Sequence, residues 1–156
     1  MTNSDIRATD LVRQHQSIQA HLKFLIHAVG KLDPQSCRGL AESDSLKNRI
    51  ALYRWSLYDF RDAVKRHKES VKRIFQGNRS VERLLKEQDV ILEKIESAIE
   101  LAEYVAKNGL FREELNVYLV KIALAINKVC ETIELHMAKE EEIIKQYKKT
   151  RMSPGR

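Results

Sequence analysis

The sequence predicts an all-α protein, an up-down-up-down four-helix bundle, and three observations carry that prediction. Apolar residues recur at steps of three and four over long segments, the period of one buried helix face. No segment reads as a strand. Gly, Pro and Asn stand between the periodic segments, where helices stop. The 156 residues suffice for one compact domain with a sizeable core. The whole chain, 1–156, therefore reads as a single domain with short flexible ends near 1–8 and 150–156.

The first helix is expected from about Thr9, or earlier, to Val29, with Leu11, His15, Ile18, Leu22, Leu25 and Val29 inward. Gly30 and Asp33-Pro34 end it. After a loop from about Lys31 to Glu42, Ser43 or Ser45 caps the second helix. Its seam runs Leu46, Ile50, Tyr53, Leu57, Phe60, Val64, His67, Val71 and Ile74, and it ends near Gln76-Gly77-Asn78. Ser80 is the expected cap of the third helix, whose inward face is Val81, Leu84, Gln88, Ile91, Ile95 and Ala98. Asn108-Gly109 stops it. The fourth runs from about Phe111 to Lys149 on Ile122, Ile126, Val129, Ile133, His136, Glu140, Ile143 and Tyr147. The tight connections near Gly77 and Gly109 favour antiparallel neighbours. Lone Trp55 and the tyrosines are expected in or beside the core.

Composition narrows the class. Hydrophobic residues make up 43% and charged residues 32%, with five Gly and two Pro, which fits a soluble helical protein and argues against disorder. No apolar run approaches the roughly 20 residues of a membrane span. The N-terminal Met1-Thr2-Asn3-Ser4-Asp5 lacks the apolar stretch of a signal peptide. The expected location is therefore cytoplasmic. Cys37 and Cys130 form no C-x-x-C pair, so no zinc ribbon or thioredoxin-type motif is present. In a reducing compartment both read as ordinary thiols. No Gly-rich phosphate loop, G-x-S-x-G or nucleophile–base arrangement occurs, so hydrolytic and phosphoryl-transfer catalysis have little support.

The informative residues are polar ones on seams that should be apolar. An unpaired carboxylate on a core face costs several kcal/mol, yet Glu140 lies on one, a turn after His136. His15 lies near the start of the first helix and His67 about ten residues before the end of the second. Gln88 follows Ser80 by eight residues, about 12 Å along the third helix at 1.5 Å per residue. In an up-down-up-down bundle, His15, His67, Gln88, His136 and Glu140 all fall toward one end. Bundles build metal sites by such convergence from facing helices. A single core histidine is more often structural; several at one depth with an inward glutamate favour ligation. His21 and His27 flank the first helix's stripe and read as surface or boundary residues. Ferritin-like sites use Glu-x-x-His; here Val12, Ile18, Phe24, Val64 and Ile133 stand three before the histidines, so that reading fails.

The pattern resembles the hemerythrin-like (HHE cation-binding) family. His15 corresponds to that family's first-helix histidine. His136-Met-Ala-Lys-Glu140-Glu141-Glu142-Ile143 is similar to its fourth-helix motif, the most specific part. The segment from His67 through Val71 to Phe75 resembles the second-helix motif, and Leu85-Lys86-Glu87-Gln88 the third. The resemblance covers essentially the whole chain. It implies non-haem iron, a diatomic ligand such as dioxygen, and a role in binding or sensing oxygen, nitric oxide, redox state or iron supply. It also implies His15, His67, His136 and Glu140 as metal ligands, with Gln88 a weak ligand or a hydrogen-bonding neighbour of one. Two positions depart from the family's pattern. Val71 stands where a bridging carboxylate belongs, and Gln88 where the third helix supplies histidine. Three states stay open: one metal, two metals with Glu69 or Glu87 recruited, or an inherited core without metal.

A second reading rests on charge. The net charge is +6 and the sequence pI about 9.3. Lys65, Arg66, Lys68, Lys72, Arg73, Arg79, Arg83 and Lys86 cluster around the second-to-third helix turn. Lys145, Lys148, Lys149 and Arg151 end the fourth helix nearby. That basic end suits an anionic partner, although Glu69, Glu82 and Glu87 make it mixed and a solvated face with cations at helix C-termini is the favoured reading. No aromatic residues interleave with these charges, which argues against single-strand nucleic-acid binding. In a third reading, a metal-free scaffold docks a protein partner through an exposed stripe such as Val117, Leu124 and Leu135.

Overall fold

A computed structural model describes the backbone of residues 3–32, 44–108 and 112–151, and the side chains of 9–32, 45–108, 113–147 and 149. Four helices follow one another: α1 (Asn3–Gly30), α2 (Asp44–Ile74), α3 (Arg79–Asn108) and α4 (Arg112–Arg151). No strand occurs among the described residues. Each helix packs on two neighbours, α1 on α2 and α4, and α3 on α2 and α4, while among the described residues the backbones of the diagonal pairs stay apart. The cross-helix pairs give the direction. Lys31–Arg49 and His15–His67 join α1 to α2; Arg61–Glu96 and Lys68–Asp89 join α2 to α3; Glu87–His136 and Tyr104–Tyr118 join α3 to α4. In each set one residue number falls as the other rises, so the neighbours are antiparallel. This is the up-down-up-down bundle that periodicity predicts.

The seams are buried nearly as expected. Tyr53, Leu57, Phe60, Ile91, Ile95, Ile122, Ile126 and Val129 are wholly enclosed. In α1 the inward position near the end is Ala28, with Val29 only half-buried. In α4, Ile144 takes the buried place expected of Ile143. Both shifts are single-residue drifts of a 3.6-residue period against a stricter repeat.

Three other local details correct the sequence reading. Asn78, not Ser80, caps α3: its Oδ1 accepts the Ser80 N–H at 3.0 Å, placing Ser80 inside the helix. Ser45 likewise lies inside α2; Ser43 falls outside the described residues, as does Cys37. Trp55 is 67% exposed. It follows Tyr53 by two residues, which turns it to the far side of α2 from the seam. The α2–α3 turn requires Gly77, whose φ of 84° lies where a Cβ is strained.

The Tyr53 hydroxyl is buried with no hydrogen-bond partner among the described residues. Burial, then the neighbouring Cys130, pushes its pKa up. A lone buried hydroxyl costs more than it returns. Tyr53→Phe is therefore expected to leave stability unchanged or raise it by up to about 1 kcal/mol. Urea denaturation would check this, and a loss would reveal a partner for the hydroxyl.

Candidate metal centre

One polar layer interrupts the apolar bundle. On its interior side lies the main core, which includes Ile18, Val64, Ile91 and Ile133. Toward the end of the bundle lies a second apolar cluster of Leu11, Val71, Phe75, Val81 and Ile144. Between them stand His15, His67, Gln88, His136 and Glu140, each no more than 3% exposed. The structure brings together all five residues that the depth argument singles out. His21 and His27 stay out of the layer, half-buried and exposed respectively.

Glu140 is the hub. Its Oε2 lies 2.6 Å from His15 Nε2 and 2.7 Å from His67 Nε2, and those two nitrogens are 3.0 Å apart. Its Oε1 accepts the Gln88 Nε2–H at 2.7 Å. His136 Nε2 approaches Oε1 at 3.2 Å without forming a directed hydrogen bond. Gln88 thus orients the carboxylate through its amide donor, while its Oε1 has no hydrogen-bond partner.

The outer faces of two imidazoles settle their proton positions. Ser70 donates its single hydroxyl proton to the Arg66 carbonyl, at 3.2 Å. It can therefore only accept from Gln14, whose Nε2 lies 2.9 Å away. That orients Gln14 Oε1 toward His67 Nδ1, at 2.8 Å, so Nδ1 carries the proton. On the other side, His136 Nδ1 lies 3.1 Å from Glu87 Oε2 and donates to it. Lys139 donates to Glu87 Oε1 at 2.9 Å. Both imidazoles, when neutral, thus turn an Nε2 lone pair inward. Metal-binding histidines are typically fixed by such contacts on the outer nitrogen.

The residues of the layer fit a cation. His67 Nε2, with its lone pair, faces an ionised carboxylate oxygen and another imidazole nitrogen. Protons alone leave that gap crowded: one hydrogen, on His15 Nε2 or on the carboxylate, bridges at most two of the three close pairs. A divalent ion satisfies all three atoms without that crowding. Neighbouring ligands about 2.1 Å from an octahedral ion stand about 3 Å apart, close to the triangle formed by His15 Nε2, His67 Nε2 and Glu140 Oε2. The same three residues form the group among the described residues that could hold a metal. His136 Nε2 adds a fourth donor, buried and without a hydrogen-bond partner. Imidazole and carboxylate suit iron and similar divalent metals.

Charge in the layer is balanced by contact. Burial pushes the Glu140 carboxyl up, but the His136, His15 and His67 imidazoles grouped around it outweigh that and hold the carboxyl far below the usual range. Burial pushes the His136 imidazole down, and Glu140 and Glu87 together overcome that and raise it. Lys139, then His136, holds Glu87 low. For the metal-free protein the two buried shifts bound a pH window. The depressed Glu140 contributes stability present above its ordinary pKa of 4.5 and lost as pH falls toward its folded value. The raised His136 contributes stability present below 6.5 and lost as pH rises through its folded value. In chelator, the thermal midpoint is expected to peak between pH 4.5 and 6.5 and fall on either side. A midpoint that climbs steadily to pH 8 would contradict this.

Sequence reasoning missed Gln14 and Ser70. Both are ordinary polar residues on helices, and nothing in their spacing marks them. Glu87 was legible only as a residue off the inward seam; it touches the centre from behind His136. Glu69 is exposed and stays outside the layer. Most of the basic end is as exposed as expected, with Lys65, Arg66, Lys72, Arg73, Arg79, Arg83, Lys86 and Lys145 facing solvent. Lys68 is half-buried and pairs with Asp89. The side chains of Lys148 and Arg151 lie outside the described residues. Val117, Leu124 and Leu135 are each more than half exposed.

Fold and site together define a four-helix bundle with a buried histidine–carboxylate cluster that could hold a metal. No protein-family model, curated protein or solved structure matches the chain. No helix among the described residues is long and apolar enough to cross a membrane.

Proposed function

We propose that this is a hemerythrin-like metal-binding protein that holds one non-haem iron through His15, His67, His136 and Glu140. Its role is the binding or sensing of a diatomic ligand such as dioxygen or nitric oxide, or of redox state or iron supply, in the cytoplasm. The observation that carries this reading is the unsatisfied polarity of the layer. Two inward nitrogens, one of them with its outer proton fixed by Gln14, crowd one carboxylate oxygen. A single metal is favoured over two because the space toward the end of the bundle is apolar. Val71 packs there with Leu11, Phe75, Val81 and Ile144, where a second ion would need a carboxylate. Iron held by these residues would supply a centre able to take a diatomic ligand or change oxidation state. The chain's own residues hold the imidazoles in register, keep water out of the layer and offset part of the ion's charge with one carboxylate. A binding or sensing role fits better than an enzyme, since the layer, among the described residues, holds no Ser, Thr or Cys that could act as a nucleophile.

The hydrogen bonds behind the imidazoles give the test. Gln14→Leu frees His67 Nδ1, and Glu87→Gln weakens the grip on His136. Each is expected to weaken divalent-metal binding about 10–100-fold, measured by competition against a chromogenic chelator. Unchanged affinity in both variants would contradict the assigned orientation of the imidazoles.

A further inference from the structure

The polar layer is enclosed along the bundle axis by apolar clusters on both sides. Exchange with solvent must therefore run sideways, between helices. On the α1–α2 side the imidazole of His67 is backed by Gln14 and Ser70, which hydrogen-bond each other. Between α3 and α4 the packing opens instead. A cleft of about 350 Å³ lies there, with Val90, Leu135 and Thr132 on its walls and Glu87, Glu131 and Lys139 at its polar edge. His136 lines the same cleft, so a member of the buried layer forms part of its surface.

We propose that this α3–α4 cleft is the route by which a divalent cation passes between solvent and the buried layer, with the Glu87–Lys139 pair closing it. The proposal rests on the metal-binding reading above. Glu87 and Glu131 give the cleft the charge that attracts a hydrated cation. Lys139 is 59% exposed and holds Glu87 across the gap by a surface ion pair, a contact that is weak and opens readily. When it opens, Glu87 is free to meet the incoming ion, and the inward Nε2 of His136 is the first donor of the layer beyond it. Val90 and Leu135, 47% and 67% exposed, touch neither Glu140 nor the imidazoles through polar contacts. They shape the cleft without holding the site.

Uptake kinetics separate the route from the site. The full chain, freed of metal, would be mixed with cobaltous ion and its loading followed by visible absorbance. Val90→Trp fills the cleft and is expected to slow uptake about tenfold, because association slows when passage requires displacement, with the final stoichiometry unchanged. Lys139→Met removes the closing contact and is expected to speed uptake. Leu124→Trp, also on an exposed apolar position of α4, should match the wild type. Wild-type rates in Val90→Trp with full loading would overturn the route while leaving the site intact. So would a Val90→Trp protein that loses stoichiometry rather than rate. No cobalt uptake by the wild type would overturn both the route and the metal-binding reading.

Discussion

Glu140→Ala is expected to remove about 3–5 kcal/mol of the metal-free protein's folding free energy, because it strips one partner from a buried charge cluster. Glu140 accepts hydrogen bonds or close approaches from His15, His67, Gln88 and His136 at once. Alanine would leave these four groups facing a cavity in a layer closed by apolar side chains on both sides. The unpaired groups, more than the lost volume, set the magnitude. Against a total stability of about 5–15 kcal/mol, such a loss lowers the thermal midpoint by roughly 10 °C for a chain of this size. Glu140→Gln keeps the shape and an acceptor oxygen, and should lose distinctly less. Chemical denaturation in chelator reads both. A Glu140→Ala protein as stable as the wild type would mean that the layer is hydrated and not the dry cluster described above.

Metal should stabilise the same layer that Glu140 organises. Free ferrous ion at about 100 times its dissociation constant, added anaerobically, is expected to add about 2.7 kcal/mol of stability. For a domain of this length that raises the thermal midpoint by about 5–10 °C. The gain should grow from pH 6 to pH 8, since the ligands must be deprotonated to bind. The metal-free protein moves the other way over that range, as the contribution of the raised His136 is lost. The two pH profiles should therefore diverge. His67→Ala and His15→Ala should each abolish the metal-dependent gain. An equal midpoint shift in those variants would place the ion elsewhere, for instance on surface carboxylates.

The depth coincidence in this chain was legible because a helix fixes axial position at about 1.5 Å per residue. Once the helices are antiparallel neighbours, residue number alone puts His15, His67, Gln88, His136 and Glu140 in one layer. Inwardness was legible too, because each lies on an apolar seam, and all five are buried. The hydrogen bonds behind the layer were not legible. Gln14 and Ser70 are polar residues one position before a seam histidine and three after one, places that solvent-facing residues also fill. Whether Glu87 faced water or His136 depended on the rotation of α3 against α4, which a one-residue drift of the seam alters. Periodicity says equally little about Trp55, whose size suggests the core and whose register turns it to solvent. The direction of an imidazole ring is a side-chain torsion, and only the contacts of Gln14 and Glu87 define it.

The most direct test is metal content by elemental mass spectrometry on native protein purified without a metal-affinity tag, beside the His136→Ala, Glu140→Ala double variant. The predicted result is about one iron or similar transition metal per chain, counted on the single cluster that the layer provides, and none in the double variant. A wild-type protein that binds next to nothing, even after anaerobic addition of ferrous ion, would contradict the central claim and leave the layer as a proton-filled structural core.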